Sequence, residues 1–189
     1  MPKGHLIRCA RSLSNGKIIA WYQGRSEFGP RALGNRSILA DSRSKELKEF
    51  INRTIKNREC FRPFAPSIIE SRCSKWFNIQ PCQLTELMLV TAHLHESKRR
   101  FVPGISHIDG SARVHTVSKE KNELFFNLLL EFEQLTDIPM LLNTSLNRQG
   151  EPIVERPEEC LDLFLYSDID CLAIGSFFLT KNRGTGPRI

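Results

Sequence analysis

The chain has 189 residues, enough for one domain with a real core, and its 40% hydrophobic and 25% charged content excludes disordered and fibrous classes. Its 27 Lys and Arg against 21 Asp and Glu give a formal charge of +6, a modest surplus gathered before Arg62, which points to a local anionic ligand rather than a nucleic-acid-binding face. No apolar run approaches the roughly 20 residues of a membrane span, Met1 to Leu13 lacks the pattern of a signal peptide, and six dispersed cysteines without a Cys-x-x-Cys pair fit neither a zinc site nor a disulfide scaffold. A cytoplasmic protein with reduced thiols is expected.

From the N-terminus, Leu6, Cys9, Ala10 and Leu13 share one side of a helix over His5 to Leu13 that Asn15-Gly16 ends. Lys17 to Tyr22 reads as a strand. Gly24 to Ser37 sets Arg25, Arg31 and Arg36 among Gly29, Pro30 and Gly34, so turns hold the charge, and a guanidinium fork fixed in this way matches two phosphate oxygens. Ser44 caps a helix expected to run to about Asn57, with Leu47, Phe50, Ile51 and Ile55 at helical spacing, and Pro63 and Pro66 prevent its continuation. Phe64 to Ile69 is expected to be extended and Ser71 to Phe77 a short helix. Leu87 to His93 and Ala112 to Val117 read as strands. Ser118 precedes the strongest helix, Lys119 to Leu135, whose stripe of Leu124, Phe125, Leu128, Leu129, Phe132 and Leu135 belongs to the core. Ile138 to Leu142 is a buried strand, Pro157 opens a helix to about Tyr166, and Cys171 to Leu179 holds one or two strands. Strands alternating with helices define an α/β or α+β sheet domain.

Several residues suit a polyanion site. Arg31 projects from a turn limited by Pro30 and Gly34; its competing use is an ion pair with Glu27. Arg62 lies between Phe61 and Pro63, which are expected to face the core, so its guanidinium is expected in a lined cleft, whereas Lys56 and Arg58 are accounted for by the helix C-terminus. Arg113 enters a strand from the Asp109-Gly110 turn. The run Leu142-Asn143-Thr144-Ser145-Leu146-Asn147 places amides and hydroxyls at a sheet edge, either for a ligand or to cap their own loop. His93, His95, His107 and His115 have no carboxylate or cysteine pattern beside them, so no metal site is expected, and no Walker A or Gly-x-Ser-x-Gly motif is present.

Five ordered blocks carry a resemblance. They are Gly24 to Ala40 around Gly29-Pro30-Arg31-Ala32-Leu33-Gly34-Asn35-Arg36, Phe61-Arg62-Pro63-Phe64-Ala65-Pro66, Asp109-Gly110-Ser111-Ala112-Arg113-Val114, Asn143 to Asn147, and Gly150-Glu151-Pro152. Together they resemble the C-terminal domain of the carbamoyltransferases typified by nodulation protein U and tobramycin carbamoyltransferase. The resemblance implies a YrdC-like α/β domain, a twisted mixed sheet packed with helices, with a helical lead-in at 1–16, the domain at 17–180 and a flexible tail at 181–189. It implies binding of carbamoyl phosphate and ATP, formation of carbamoyladenylate, and delivery to a hydroxyl acceptor by an actin-like, metal-bearing domain that this chain lacks. Carried over, Arg31, Arg62 and Arg113 form a catalytic clamp. Arg25, Lys56, Asn143, Ser145 and Asn147 join them around the phosphates, Lys56 acts as a point charge, and Mg²⁺ arrives with the nucleotide. A non-catalytic RNA-binding module and an inactive truncated remnant are the competing readings. Two departures from the family pattern stand out. Glu86, in Leu84-Thr85-Glu86-Leu87-Met88, puts a carboxylate where an aromatic is usual, and Arg156 replaces a small capping residue before Pro157, at an expected cost of about 1 kcal/mol.

Overall fold

The computed structural model describes residues 1–181. Eight strands form one mixed sheet: β1 Ile19–Tyr22, β2 Arg36–Asp41, β3 Ala65–Ile69, β4 Val90–His93, β5 Ser111–Val117, β6 Met140–Ser145, β7 Cys171–Ile174 and β8 Phe177–Thr180. Their order across the sheet is β4-β5-β3-β6-β2-β1-β7-β8, with β3–β5 and β1–β7 parallel and the other neighbours antiparallel. Helices α1 Lys3–Ser14 and α6 Glu123–Thr136 pack on each other and on the sheet, while α7 Pro157–Leu165 packs on β1 and β7. Shorter helices are α2 Lys45–Phe50, α3 Cys73–Trp76, α4 Gln83–Glu86 and α5 Glu96–Arg99. The fold is thus the expected helix-packed mixed sheet. Of the expected tail, residues 182–189 lie outside the described residues; Lys181 itself donates from Nζ to Ser167 O at 2.6 Å.

The helix stripes predict most of the core, but Leu135, expected in the α6 stripe, is 48% exposed at the helix end, and Leu124 is only partly buried. Leu6, Cys9, Ala10 and Leu13 of α1, and Phe125, Leu128, Leu129 and Phe132 of α6, join one cluster with Ile19, Trp21, Ile38, Leu39, Leu141 and Leu142 from the central strands. Strand β2 has no counterpart among the strands read from the sequence. All six of its residues are buried, including Arg36 and Asp41, because it lies between β1 and β6 with both faces covered. Such a strand shows no alternation of apolar and polar residues.

Two helix boundaries also shift. Ser44 caps α2 as expected, its Oγ accepting from Leu47 N at 3.1 Å. The α-helical pattern ends at Phe50, however, and Ile51–Ile55 form a π-helical segment in which Lys56 N donates to Ile51 O, five residues back. The widened turn closes with Asn57 at positive φ. Helix α6 begins at Glu123 rather than Lys119, because Asn122 is the cap and its Oδ1 accepts from Phe125 N at 3.1 Å.

Candidate active site

Antiparallel pairing of Ala65 with Asn143 and parallel pairing of Ser67 with His115 put Arg113, Ala65 and Asn143 in one row across β5, β3 and β6. His115 and Ser67 lie in the next row on the same face. Above the first row is a small polar cleft with about 100 Å³ of free volume. Its charged walls are Arg31, Arg58 and Arg113, its floor and rim include Ala65, Asn143, Thr144 and Ser145, and no carboxylate lines it. Burial holds Arg113 below the ordinary arginine range, with the neighbouring Arg31 charge adding to the effect. Arg58 shifts in the same direction through burial, then through Arg62 and Arg113. Three guanidinium groups converging without a counter-charge suit the chemistry of a polyanion.

Each wall residue has a local reason to be there. Glu27 does not pair with Arg31. Its Oε1 accepts from the backbone N–H groups of Leu33 (2.7 Å), Asn35 (2.8 Å) and Arg36 (3.2 Å), folding the arginine loop around one carboxylate. Gly34, at φ +97, continues that loop where an added Cβ would overlap the Phe125 ring. Its carbonyl accepts from Trp21 Nε1 at 2.8 Å. Arg36 is a structural residue: its guanidinium lies 3.5 Å from the Tyr22 ring centroid and donates to Gln23 O and Gly24 O. Arg58 is held by Asn52 Oδ1, which accepts from Nε at 2.7 Å, and by the Phe64 ring. The fully buried Asn52 also donates to Cys60 O and Arg62 O, so it shapes the whole turn after the π-helical segment.

Of the three arginines expected to form the clamp, Arg31 and Arg113 line this cleft and Arg62 does not. The Arg62 Nε pairs with Glu59 Oε2 at 3.0 Å and its side chain is 53% exposed. The turn shaped by Asn52 presents Arg58 instead. Arg25 is exposed and is not part of the cleft wall. Lys56 is 4% exposed and also stands off the wall, with Nζ donating to Ser145 O (2.6 Å), Ser145 Oγ (3.3 Å), Asn147 O (2.9 Å) and Asn147 Oδ1 (2.6 Å). Burial, reinforced by Arg58, pushes its amine down to about 7. Its amine is committed to the Ser145–Asn147 turn, so the residue expected as a point charge on a phosphate stands here as a tether of that turn. Asn147 serves that same turn, accepting from Ser145 Oγ at 2.7 Å and donating to Glu151 O. Glu86 lies away from the cationic cleft and pairs with Lys121 at 3.6 Å; Met88, at φ +57, is the member of that segment that reaches the cleft. The substitution at Arg156 is compensated, because Glu159 Oε2 accepts from Glu155 N and Arg156 N while Arg156 Nε donates to Glu159 Oε1.

Three polar atoms around the cleft have no hydrogen-bond partner: Arg31 Nε, Arg113 Nε and Asn143 Oδ1. Buried polar atoms are normally paired, so two unpartnered donors and one unpartnered acceptor on residues of one cleft mark it out. Among the described residues no group of three or more His, Cys, Asp or Glu could hold a metal ion, and no helix is long and apolar enough to cross a membrane.

A helix-packed mixed sheet with a three-arginine cleft places the chain among α/β domains, and comparison with known proteins specifies the group. A family model described as Carbamoyltransferase C-terminus matches residues 10–181, and the chain belongs to that family. Nodulation protein NolO of Bradyrhizobium diazoefficiens is 44% identical over 170 residues, covering 89% of this chain and 31% of the relative. Nodulation protein U of Azorhizobium caulinodans is 42% identical over 145 residues, covering 77% and 25%. The chain thus spans about a quarter to a third of the length of these curated relatives. Among solved structures, Sua5 of P. abyssi complexed with L-threonine superposes with a TM-score of 0.62 at 15% identity, covering 93% of this chain and 48% of that one. Full-length HypF in its phosphate- and nucleotide-bound form gives 0.59 at 19% identity, covering 94% and 25%.

Proposed function

We propose that this domain binds carbamoyl phosphate and ATP and forms carbamoyladenylate, which a separate actin-like, metal-bearing domain passes to a hydroxyl acceptor. The orphan atoms of the cleft carry this reading. Carbamoyl phosphate offers anionic oxygens to the Arg31 and Arg113 side chains and an amide N–H to the Asn143 acceptor, matching the polar groups gathered there. The free volume of about 100 Å³ suits that co-substrate alone, so the nucleotide has to approach at the mouth. Family membership and the HypF neighbour, solved with phosphate and nucleotide bound, agree with the assignment.

Joining the carbamoyl group to AMP releases pyrophosphate from ATP and phosphate from carbamoyl phosphate, with consumption of one water. The chain's contribution is positional and electrostatic. Arg31, Arg58 and Arg113 offset the repulsion between two polyanions and hold the phosphates, while Asn143 and Ser145 orient the carbamoyl group. A cleft without carboxylates gives Mg²⁺ no protein ligands, so the cation would be held by nucleotide phosphate and water, neutralising charge on the departing pyrophosphate.

The test is pyrophosphate release from ATP, Mg²⁺ and carbamoyl phosphate by the isolated chain, together with calorimetric binding of each substrate. Binding of carbamoyl phosphate is expected, and Arg31→Ala or Arg113→Ala should weaken it by about 1.5–3 kcal/mol or more, the range of a charge-assisted hydrogen bond. Absence of both turnover and binding overturns the proposal.

A further inference from the structure

Asn143 is 1% exposed, and the orientation of its amide can be deduced rather than assumed. One end of the amide lies 3.0 Å from the carbonyl oxygen of Ala32 and 2.8 Å from Ser67 Oγ. A backbone carbonyl only accepts, so the atom facing Ala32 is the NH₂ group and Oδ1 is the end left without a partner. Ser67 Oγ then accepts from Asn143, which frees its own hydrogen for the remaining contact, His115 Nδ1 at 2.7 Å. An Nδ1–H donating to the same oxygen would leave the buried Ser67 hydrogen without an acceptor, so we assign His115 the neutral tautomer that carries its proton on Nε2. Its surroundings favour neutrality: the ring is fully enclosed, stacks on Phe125 at 6.3 Å between centroids, and burial pushes its pKa down to about 3. Each proton between Asn143, Ser67 and His115 Nδ1 thus has an acceptor.

Building on the carbamoyl phosphate reading above, we propose that Ser67 and His115, with the Ala32 carbonyl, are positioning residues that hold Asn143 Oδ1 as a fixed acceptor, so that the cleft selects acyl phosphates bearing an NH₂ group over those bearing a methyl group. A ligand that carries CH₃ at this position strands a buried acceptor, whereas one that carries NH₂ satisfies it. Neither Ser67 nor His115 touches the ligand; each acts through Asn143. Ala32 links the device to the arginine loop, since it follows Arg31 directly. The loop that supplies phosphate-binding charge thereby also sets the orientation of the amide that reads the carbamoyl end.

Two stable analogues separate the contributions, phosphonoacetamide with NH₂ and acetonylphosphonate with CH₃, and inorganic phosphate reports the anion site alone. Calorimetry on the wild-type chain should show phosphonoacetamide binding about ten- to a hundredfold more tightly than acetonylphosphonate. Ser67→Ala should reduce that ratio by about three- to tenfold and leave phosphate affinity unchanged. His115→Asn, which keeps an acceptor near the Nδ1 position, should retain more of the ratio than the similarly sized His115→Leu. Equal wild-type affinity for the two analogues, with phosphate still bound, overturns the selection and leaves the anion site standing; failure of all three to bind overturns both. A wild-type preference that survives Ser67→Ala and His115→Leu overturns the positioning role. Nitrogen-15 NMR of the wild-type chain needs no variant: a protonated Nε2 and bare Nδ1 on His115 are expected, and the opposite tautomer contradicts the chain of hydrogen bonds.

Discussion

Gly34 shows how one residue joins packing to the site. Its φ of +97 is strained for any side chain, a Cβ there would overlap Phe125, and Phe125 in turn stacks on His115. Gly34→Ala is expected to destabilise the domain by at least about 1–3 kcal/mol through overpacking and backbone strain, seen as a lower urea midpoint at unchanged m-value. The substitution should also weaken phosphate binding, because the arginine loop is displaced; a variant of wild-type stability contradicts the assigned contact. The exchange of Arg62 for Arg58 belongs to the same scale. Sequence spacing located the turn but not which of its guanidiniums lines the cleft, since that depends on Asn52, whose side chain bonds Arg58, Cys60 and Arg62 at once. That asparagine sits six residues upstream in a stretch that reads as an ordinary helix, so its neighbours give no local signal. That Arg31, Arg113, Asn143 and Ser145 gather at one cleft was legible because Gly, Pro and strand ends fix where they stand.

At the scale of elements, amphipathic helices were legible and the covered strand was not. The stripes of α1 and α6 name their buried residues directly, because one face of each meets the sheet and the other meets solvent. Strand β2 has no exposed face, and its buried Arg36 and Asp41 look like surface residues until Tyr22 and Arg43 are seen to receive them. The π-helical segment is likewise a tertiary outcome: Lys56 is drawn inward to four oxygen acceptors on β6 and the loop beyond it. Packing of α1 against α6 makes the N-terminal helix part of the core rather than a detachable lead-in. Leu13→Ala, at a fully buried position, should cost about 2–5 kcal/mol. A loss under about 1 kcal/mol by urea denaturation would show that the helix contributes little.

Across the whole molecule, buried titratable groups give stability a defined dependence on pH. His115 is held neutral down to about pH 3, so between there and the ordinary histidine value the unfolded chain binds the extra proton and stability rises with pH. Lys56 acts in the same direction from about pH 7 upward, since the unfolded lysine keeps a proton that the folded one has released. The buried thiols of Cys9 and Cys160, raised to about 12, and Cys73, raised to about 11, oppose this above their ordinary value of 9.0, where only the unfolded chain ionises. Stability should therefore climb from pH 7 to about 9 and fall beyond it. Lys56→Met should remove the climb, whose slope is at most about 1.4 kcal/mol per pH unit for one proton. Urea midpoints for both proteins across that range provide the check, and parallel profiles contradict the lysine's role. The central claim, that convergence of Arg31, Arg58 and Arg113 on one cleft makes this domain a carbamoyl phosphate site, is tested most directly by calorimetric titration of carbamoyl phosphate into the wild type, Arg58→Ala and Arg62→Ala. Arg58→Ala should weaken binding at least about tenfold, while Arg62→Ala, removing an exposed pair with Glu59, should stay within about twofold of wild type. A large loss on Arg62→Ala with none on Arg58→Ala contradicts the site.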